Sequence, residues 1–168
     1  MTNEQLCSLI RQGATGPVTV QEQASPLTLV IEAGDLIPLC TTLRSHGEVY
    51  ADRLACITGV DNGPAAATME VIYHLDCITT GLTFALKVRI PRDHPEVPTL
   101  TGLWRSADWL EREIFDMYGI IFTGHPDLRR ILMPADWEGY PLRKDYVEQE
   151  SYHDIKVASG STSDPAKP

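Results

Sequence analysis

The clearest pattern of hydrophobic and polar positions lies in the middle of the chain, over residues 69–90. Apolar side chains alternate with polar or small ones over 82–90, and a similar alternation runs through 69–77. A period of two is typical of a strand with one buried face. The Thr-Thr-Gly sequence at 79–81 lies between the two runs and favours a tight turn. The pattern therefore predicts an antiparallel hairpin whose polar side is half solvated.

Other periodicities predict the remaining elements. A capping-box pair, Thr2 and Gln5, precedes an apolar stripe that ends near Gly13. Asp35 can cap a second helix, for which Gly47 is a plausible stop. In chain order we predict a helix to residue 13, two short strands within 17–32, a helix over 35–47, a strand over 53–60, the hairpin, and a helix from 106 or 108 to 119. Prolines at 91, 95 and 98 argue against regular structure over 91–100. This order predicts an α+β fold of two layers, with helices packed on a mixed, largely antiparallel sheet.

The character of the chain changes after residue 122. Neither period survives over 123–147, yet this stretch contains large apolar side chains such as Trp137 and Tyr140. A disordered linker is poor in such residues, so we expect an extended segment that lies on a surface, either its own domain or a partner. We therefore divide the chain into an α+β domain (1–122), a partner-docking C-terminal arm (123–150) and a polar tail (151–168) that is frayed from residue 158 onward.

Composition excludes several classes of function. The 168 residues carry a formal net charge of -9, so the chain lacks the basic footprint of a nucleic-acid-binding protein and an anionic membrane surface would repel it. No apolar run approaches the roughly 20 residues that a membrane-spanning helix needs. The amino terminus is too polar for a signal peptide, which favours a reducing compartment.

The residues that usually perform chemistry form no recognisable site. Cysteines at 7, 40, 56 and 77 show no C-x-x-C spacing and lie within apolar patterns, so we expect small buried thiols. The five histidines show no H-x-x-x-H spacing, and no glycine loop that would cradle a phosphate is visible. We therefore predict no catalytic, cofactor-binding or metal-binding residue in this chain.

The third predicted helix contains an unusual number of charges. On a helical wheel, the apolar stripe comprises Leu110, Ile114, Met117 and Tyr118, and the opposite, solvent-facing side carries Arg112, Glu113 and Asp116. Glu111 projects on the flank of the apolar stripe, where a carboxylate needs a cation or hydrogen-bond donors to stay ionised. Two interpretations remain open. Glu111 transfers protons with His125 nearby, or it pairs with Arg129, Arg130 or Arg143 and fixes the C-terminal arm on the helix, and we favour the second.

The first residues of the C-terminal arm suggest a turn followed by an arginine pair. Pro126 biases His125 to an extended conformation, which favours a hydrogen-bonding role for this histidine. Arg129 and Arg130 are adjacent, so we expect them to point in different directions. An outward-facing arginine beside Trp137 matches the composition of interface hot spots.

The charged segment resembles a known family. The sequences E-R-E-x-x-D-M-Y (111–118), H-P-D-L-R-R-I-L (125–132) and M-P-x-D-W-E-G-Y-P-L-R-K-D-Y (133–146) resemble the signature of the C subunit of respiratory complex I, the type-1 proton-pumping NADH:quinone oxidoreductase. Weaker similarity extends the match to residues 30–147. The resemblance implies a non-redox structural and assembly subunit of the peripheral arm of that complex.

The resemblance also implies where cofactors and partners lie. FMN and iron–sulfur clusters would belong to other subunits, and the partners would be chiefly the hydrogenase-like D subunit and the cluster-bearing B subunit, on the cytoplasmic side of the membrane. It assigns fold and interface roles, not chemistry, to a set of residues: Glu111, Arg112, Glu113, Asp116, His125, Arg129, Arg130, Trp137, Arg143, Lys144 and Asp145.

Two alternatives remain from the sequence alone. The chain could be the equivalent subunit of a ferredoxin- or F420-linked quinone reductase or of a membrane-bound hydrogenase, because the electron-input module lies in other chains. It could also be a free-standing enzyme that uses Glu111 and His125 as acid and base. The second alternative lacks a nucleophile, a cofactor loop and a set of metal ligands.

Overall fold

The computed structural model describes residues 2–21, 23–153 and 155–156. The helices in these residues are α1 (Asn3–Gly13), α2 (Leu36–Ser45) and α3 (Ala107–Tyr118), with a short 3-10 turn (Ala33–Asp35) before α2. The strands are β1 (Thr19–Gln21), β2 (Leu27–Ile31), β3 (Arg53–Asp61), β4 (Thr68–Cys77), β5 (Leu82–Pro91), β6 (Glu96–Pro98), β7 (Ile121–Thr123), β8 (Ser151–Tyr152) and β9 (Ile155–Lys156).

Five strands form one twisted layer in the order β1-β2-β5-β4-β3. Neighbouring strands are antiparallel except β2 and β5, which run parallel with Leu29 opposite Leu86. The predicted hairpin is β4–β5, in which Tyr73 pairs with Leu86. The sheet is mixed and largely antiparallel, which confirms the predicted α+β fold class.

The core lies between the helices and one face of this sheet. Alternate residues of β4 and β5, including Val71, Tyr73 and Leu86, are fully buried. Burial of this apolar surface is the main force that holds the helices to the sheet. At Gly59 on β3, an added Cβ would lie 2.7 Å from the ring of Tyr118, so α3 can approach the strand this closely only because residue 59 is glycine.

The proline-rich stretch differs from the prediction. Glu96–Pro98 forms β6, which pairs in parallel with β7, although we expected no regular structure over 91–100. A proline is tolerated here because the ladder has only two strands, so its missing N–H removes no bond from a central strand. The pair matters for the site, because it places residues 99–101 beside the first turns of α3.

Two of the predicted helix ends are confirmed. Thr2 accepts a hydrogen bond from the Gln5 amide, and the Gln5 side chain accepts one from the Thr2 amide, which is a complete capping box. Gly119 ends α3 in the left-handed conformation, with φ of 71°, and its amide donates to the carbonyl of Phe115 at 2.8 Å.

The predicted ends of α2 are wrong. The Asp35 carboxylate does not cap α2, because it accepts the amide and hydroxyl of Thr15 and the amide of Gly16. These bonds hold the pKa of Asp35 below its ordinary value. At the other end, His46 has an extended backbone and Gly47 does not adopt a left-handed conformation, so the helix stops without a glycine cap.

The prediction of buried cysteines is correct for two of the four. Cys40 and Cys77 are buried, Cys7 is half-buried, and Cys56 is exposed. Cys56 points to the outer face of the sheet because the register of β3 shifts between Leu54 and residue 56. Such a bulge is not readable from an alternation pattern.

The C-terminal arm (123–150) extends along α3 and the end of β3. Its backbone bonds to the domain through Leu142, whose amide donates to the Met117 carbonyl at 3.1 Å. Beyond it, β8 and β9 form a short antiparallel pair. The predicted fraying from residue 158 lies outside the described residues, and the division of the chain at residue 122 remains a prediction.

Candidate docking site on helix α3

Helix α3 is covered on two sides, by the sheet and by the C-terminal arm. Because the arm lies on the side predicted to face solvent, the helical wheel is wrong for Arg112 and Asp116, which are buried. Glu113 is exposed as predicted. Leu110, Met117 and Tyr118, predicted to be core, are only half-buried, and Ile114 is buried as predicted.

Glu111 is completely buried without an arginine partner. Its Oε1 accepts the amide of Leu100 at 2.7 Å, and its Oε2 accepts the hydroxyl of Thr99 at 2.6 Å. The predicted pairing of Glu111 with Arg129, Arg130 or Arg143 is therefore wrong. The flank on which Glu111 projects faces the loop after β6 and His125, not the arginines of the C-terminal arm.

Burial raises the pKa of Glu111 to about 7, against the opposing hydrogen bonds from Thr99 and Leu100. The Tyr73 hydroxyl, also buried, has no hydrogen-bond partner among the described residues, and burial together with Glu111 raises the pKa of this phenol well above its ordinary value. Glu111 is thus a carboxyl group that can hold its proton near neutral pH.

The side chain of His125 is also completely buried, next to Glu111. Its Nδ1 accepts the amide of Asp127 at 3.0 Å, and its Nε2 lies 3.2 Å from the carbonyl oxygen of Asp108. An amide can only donate, so Nδ1 carries no proton and Nε2–H donates to the carbonyl. Nε2 lies 4.0 Å from Glu111 Oε2, too far for a hydrogen bond. The predicted hydrogen-bonding role of His125 therefore fits the geometry better than an acid–base pair.

Asp116 binds the C-terminal arm. Its Oδ2 accepts the amides of Ile131, Leu132 and Met133 at 2.9, 2.6 and 2.9 Å, and its Oδ1 lies 2.8 Å from Arg130 Nη1. Burial opposes ionisation, but the amide of Met133, the Arg130 guanidinium and the other two amides outweigh it and hold the pKa of Asp116 below its ordinary value. The arginine of the arm therefore pairs with Asp116, five residues beyond the predicted partner.

Two arginines and a tyrosine fix the arm against the end of α3. The guanidinium groups of Arg130 and Arg143 both lie over the Tyr140 ring, 5.1 and 4.7 Å from its centroid. Arg143 Nε donates to the carbonyl of Tyr118 at 2.7 Å, near the negative end of the helix. A Cβ added at Gly119 would lie 2.5 Å from the Tyr140 ring, so this glycine also makes room for the arm.

A second buried carboxylate holds the arm at the end of β3. Asp61 accepts two bonds from Arg92, at 2.8 and 3.1 Å, and the amide of Lys144 at 2.9 Å. Arg92 also pairs with Asp145 of the arm. The Arg92 hydrogen bonds lower the pKa of Asp61 far below its ordinary value. Sequence reasoning missed Asp61 and Arg92, because Asp61 precedes Asn62-Gly63 and resembles an ordinary turn residue.

The remaining signature residues lie near the surface. Arg129 is exposed and pairs with Asp127, and the side chains of Lys144 and Asp145 are exposed. Trp137 is half-buried, and its Nε1 donates to the hydroxyl of Tyr146 at 3.1 Å. As predicted, Arg129 and Arg130 point in different directions, one to solvent and one to Asp116.

Within the described residues, His, Cys, Asp and Glu side chains form no group of three or more that could hold a metal ion. In the same part of the chain, no helix is both long enough and apolar enough to cross a membrane. Glu111 and His125, the two groups considered for chemistry, are fully buried, so this geometry offers neither of them to a substrate in solution.

The comparisons with known sequences all indicate the same family. The model of the family described as the respiratory-chain NADH dehydrogenase 30-kDa subunit matches residues 29–152. A protein of Chlorobium phaeobacteroides, named as the C subunit of NADH-quinone oxidoreductase, is 41% identical over 80% of this chain and 81% of its own length. Proteins of the same name from Chloroherpeton thalassium (47% identical, 68% of this chain, 48% of that protein) and a Roseiflexus species (46%, 71% and 68%) are also similar.

Solved structures share the fold. A trypsin-resistant fragment of Nqo5 superposes with a TM-score of 0.62 at 29% identity, covering 76% of this chain and all of the fragment. A chain of an archaeal membrane-bound sulfane sulfur reductase superposes with a TM-score of 0.63 over 86% of this chain and 84% of its own length. At 23% identity, that second likeness concerns the fold alone.

The matched family model covers most of the chain, from the second strand of the sheet to the end of the C-terminal arm. This chain belongs to the family of the 30-kDa subunit of respiratory-chain NADH dehydrogenase, which is the family of complex I C subunits. The resemblance stated from residues 111–146 is thereby confirmed.

Proposed function

We propose that this chain is a structural and assembly subunit of the peripheral arm of a proton-pumping NADH:quinone oxidoreductase. The observation that supports this proposal most directly is what the charged residues of the family signature bind. Asp116 and Arg130, both largely buried, bind each other and the backbone of the C-terminal arm. These contacts hold the C-terminal arm in one conformation on α3. An assembly subunit must present a defined surface of this kind to its neighbours.

The finer points of the proposal follow from the family. The hydrogenase-like D subunit is the main partner, with the cluster-bearing B subunit nearby, and FMN and the iron–sulfur clusters belong to other subunits. The C-terminal arm presents the docking surface, with Arg129, Trp137 and Lys144 among its accessible side chains. The chain meets the membrane only through the complex, on the cytoplasmic side.

The relatives favour an NADH-linked complex over the alternative of a ferredoxin- or F420-linked reductase or a membrane-bound hydrogenase. Three relatives between 41 and 47% identical are named as C subunits of NADH-quinone oxidoreductase. The reductase neighbour at 23% identity supports only the shared fold.

The test is isolation of the assembled complex. A tagged chain is expressed from its own promoter, membranes are solubilised in mild detergent, and native electrophoresis is followed by mass spectrometry of the partners. We expect the tag to co-purify with NADH- and cluster-binding subunits and with NADH:quinone oxidoreductase activity. A chain that runs as a free monomer, or that co-purifies only with hydrogenase or ferredoxin-linked subunits, would contradict the proposal.

A further experiment separates the assembly role from an enzyme that uses Glu111. In the Glu111→Gln variant, the amide can accept from Leu100 and donate to Thr99, so the local bonds survive. We expect the complex that contains Glu111→Gln to assemble and to oxidise NADH. If the purified wild-type chain alone turned over a substrate and this variant did not, the enzyme hypothesis would replace ours.

A further inference from the structure

Helix α3 and the first part of the C-terminal arm enclose a groove of about 630 Å³. Its walls include Trp109, Arg112 and Phe115 from the helix and Leu128, Arg129 and Ile131 from the arm. We call it the Trp109 groove. Three of the eight residues that line it are arginines and none is Asp or Glu, in a chain whose formal net charge is -9. Each of the three arginines also has a carboxylate near it: Arg130 binds Asp116, Arg129 pairs with Asp127, and Arg112 lies 3.7 Å from Asp108. The groove is therefore rich in guanidinium groups and apolar surface, and its charge is largely balanced by carboxylates just outside it.

The guanidinium of Arg112 is held in place with unused donors. Its side chain is only 9% exposed, and its Cζ lies 4.9 Å from the centroid of the Trp109 ring. The Nε donates to the carbonyl of Arg129 at 3.4 Å, while Nη1 lies 3.7 Å from Asp108 Oδ1, beyond hydrogen-bond range. Among the described residues, the terminal amino groups of Arg112 have no hydrogen-bond acceptor.

Trp109 is unusually exposed for so large an apolar side chain. Its exposed fraction is 63%, although its ring stacks on Arg112 and is thus fixed in orientation. Phe115, Leu128 and Ile131, which line the same groove, are half-buried. Tryptophan and arginine that are held rigidly beside a half-buried apolar floor are the residues that contribute most to protein–protein binding. A rigid side chain also loses less conformational entropy when a partner binds.

We propose that the Trp109 groove binds a segment of a neighbouring protein chain that carries a carboxylate side chain for Arg112 and Arg129 and an apolar side chain for the floor between Trp109 and Ile131. This inference rests on the proposed function and assigns one contact surface within it. A carboxylate suits the site because the terminal N–H groups of Arg112 have no acceptor among the described residues. The pair of Arg129 with Asp127 is exposed and therefore contributes little, so a partner carboxylate can take the place of Asp127.

The test is a competition within the assembled complex. Wild-type and variant chains with different tags are co-expressed, the complex is purified through another of its subunits, and the ratio of the two tags is measured. We expect Trp109→Ala and Arg129→Glu each to be depleted about tenfold or more, as for truncation of a hot spot. The matched controls are Tyr50→Ala, another exposed aromatic residue, and Arg11→Glu, the same charge change on α1, which we expect to compete equally with wild type.

A chemical experiment identifies the acidic group. In Arg129→Lys, the new amine can be coupled by a water-soluble carbodiimide to a carboxylate in contact with it, and mass spectrometry reads the linked peptides. We expect a link from residue 129 to an Asp or Glu of a neighbouring subunit, and none from the control Arg11→Lys. The chain's own Asp127 lies beside Arg129, so a link to Asp127 alone would contradict the proposal.

The outcomes distinguish this inference from the function on which it rests. If the wild-type tag enters no large complex, the proposed function fails. If the wild type enters the complex and Trp109→Ala and Arg129→Glu compete equally with it, the groove inference is overturned and the function stands. A purified chain that forms dimers, which Trp109→Ala converts to monomers, would identify a second copy as the occupant and would also overturn the inference.

Discussion

At the scale of single residues, two carboxylates on α3 respond to burial in opposite ways. Glu111 and Asp116 are both fully buried. Glu111 receives two neutral donors and its pKa rises, whereas Asp116 receives three amides and a guanidinium and its pKa falls. Burial alone raises the pKa of a carboxyl group, so the number and charge of the donors decide the direction.

The raised pKa of Glu111 predicts a pH-dependent stability. A carboxyl whose pKa is near 7 in the folded chain and near 4.5 in the unfolded chain binds its proton more tightly when folded. Its contribution to the free energy of unfolding is fully present below about pH 4.5 and is lost as pH rises through 7. For wild type, we expect a loss on the order of 3 kcal/mol across this range. Urea unfolding at pH 5, 6, 7 and 8 measures it.

The control for that prediction is Glu111→Gln, which cannot titrate but keeps both hydrogen bonds. We expect its stability to be flatter than that of wild type between pH 5 and 8. Glu113→Gln changes an exposed carboxylate on the same helix and should leave the wild-type profile unchanged. A Glu111→Gln profile parallel to wild type would show that Glu111 is already ionised in the folded chain.

Asp116 leads to a second prediction. Asp116→Asn removes the charge that pairs with Arg130 and replaces one acceptor oxygen by an amino group, which leaves arm amides and a guanidinium unpaired. We expect a loss of about 3 kcal/mol in unfolding free energy. Hydrogen exchange at the amides of residues 131–133 should accelerate more than exchange in β4 and β5. Exchange that rises equally everywhere would mean that the arm does not open separately from the sheet.

Some of this chemistry could be predicted from the sequence. The wheel correctly identified Glu111 as a carboxylate that would need partners, because its direction depends only on helical geometry. The identity of those partners depended on the β6–β7 pair, which brings Thr99 beside the helix and which the prolines had argued against. The wheel also assumed that a charged helical side faces solvent, and the arm covers that side.

At the scale of elements, the accuracy of prediction followed the strength of the local signal. The β4–β5 hairpin and α3 were predicted with nearly correct bounds, because alternation over nine or ten residues and a glycine stop are local properties. The path of the C-terminal arm has no period. It is determined by contacts between residues far apart in the chain, such as Asp61 with Lys144. No reading of one segment alone predicts such contacts.

Gly119 connects two elements and gives a third prediction. It has φ of 71°, and an added Cβ would clash with the Tyr140 ring. We expect Gly119→Ala to lower the free energy of unfolding by about 1–2 kcal/mol through backbone strain, and to displace the arm from α3. Fluorescence melting measures the first effect, and faster trypsin cleavage after Arg143 measures the second.

The matched control for this substitution is Gly102→Ala. Gly102 lies just before α3, its φ is not positive, and nothing lies within 4 Å of an added Cβ. We expect its stability and cleavage to match wild type. If Gly119→Ala melted at a lower temperature but was cleaved at the wild-type rate, the strain would be confined to the helix end and the arm would tolerate a shifted Tyr140.

At the scale of the whole molecule, two buried carboxylates on different elements fasten one segment. Asp116 on α3 binds the arm near Leu132, and Asp61 at the end of β3 binds it near Lys144. The groove proposed to bind a neighbour lies against the first of these attachments, since Ile131 lines it. Ionisation of both carboxylates therefore supports the shape of the docking surface.

The two groups of titrations predict a stability maximum on the acidic side of neutral. Asp61 and Asp116 have lowered pKa values, so their contributions are present above about pH 4 and are lost as pH falls further. Glu111 acts in the opposite sense and weakens the fold as pH rises through 7. We therefore expect the free energy of unfolding to be greatest between about pH 4 and 5. A series of urea titrations from pH 3 to 8 measures this profile.

The profile has two limbs, the fall in stability toward low pH and the fall toward high pH. Each single variant should change only one of them. Asp61→Asn removes a buried partner of Arg92, so we expect a loss of about 2–3 kcal/mol at pH 6 and a shallower acid limb, with the slope above about pH 5 unchanged. Other carboxylates with lowered pKa values, such as Glu70, keep part of the acid limb in place. Glu111→Gln should flatten only the limb above about pH 5. If Asp61→Asn changed both limbs equally, the attachment at β3 and the pocket of Glu111 would be one coupled unit, and the arm could not be released while the sheet remains folded.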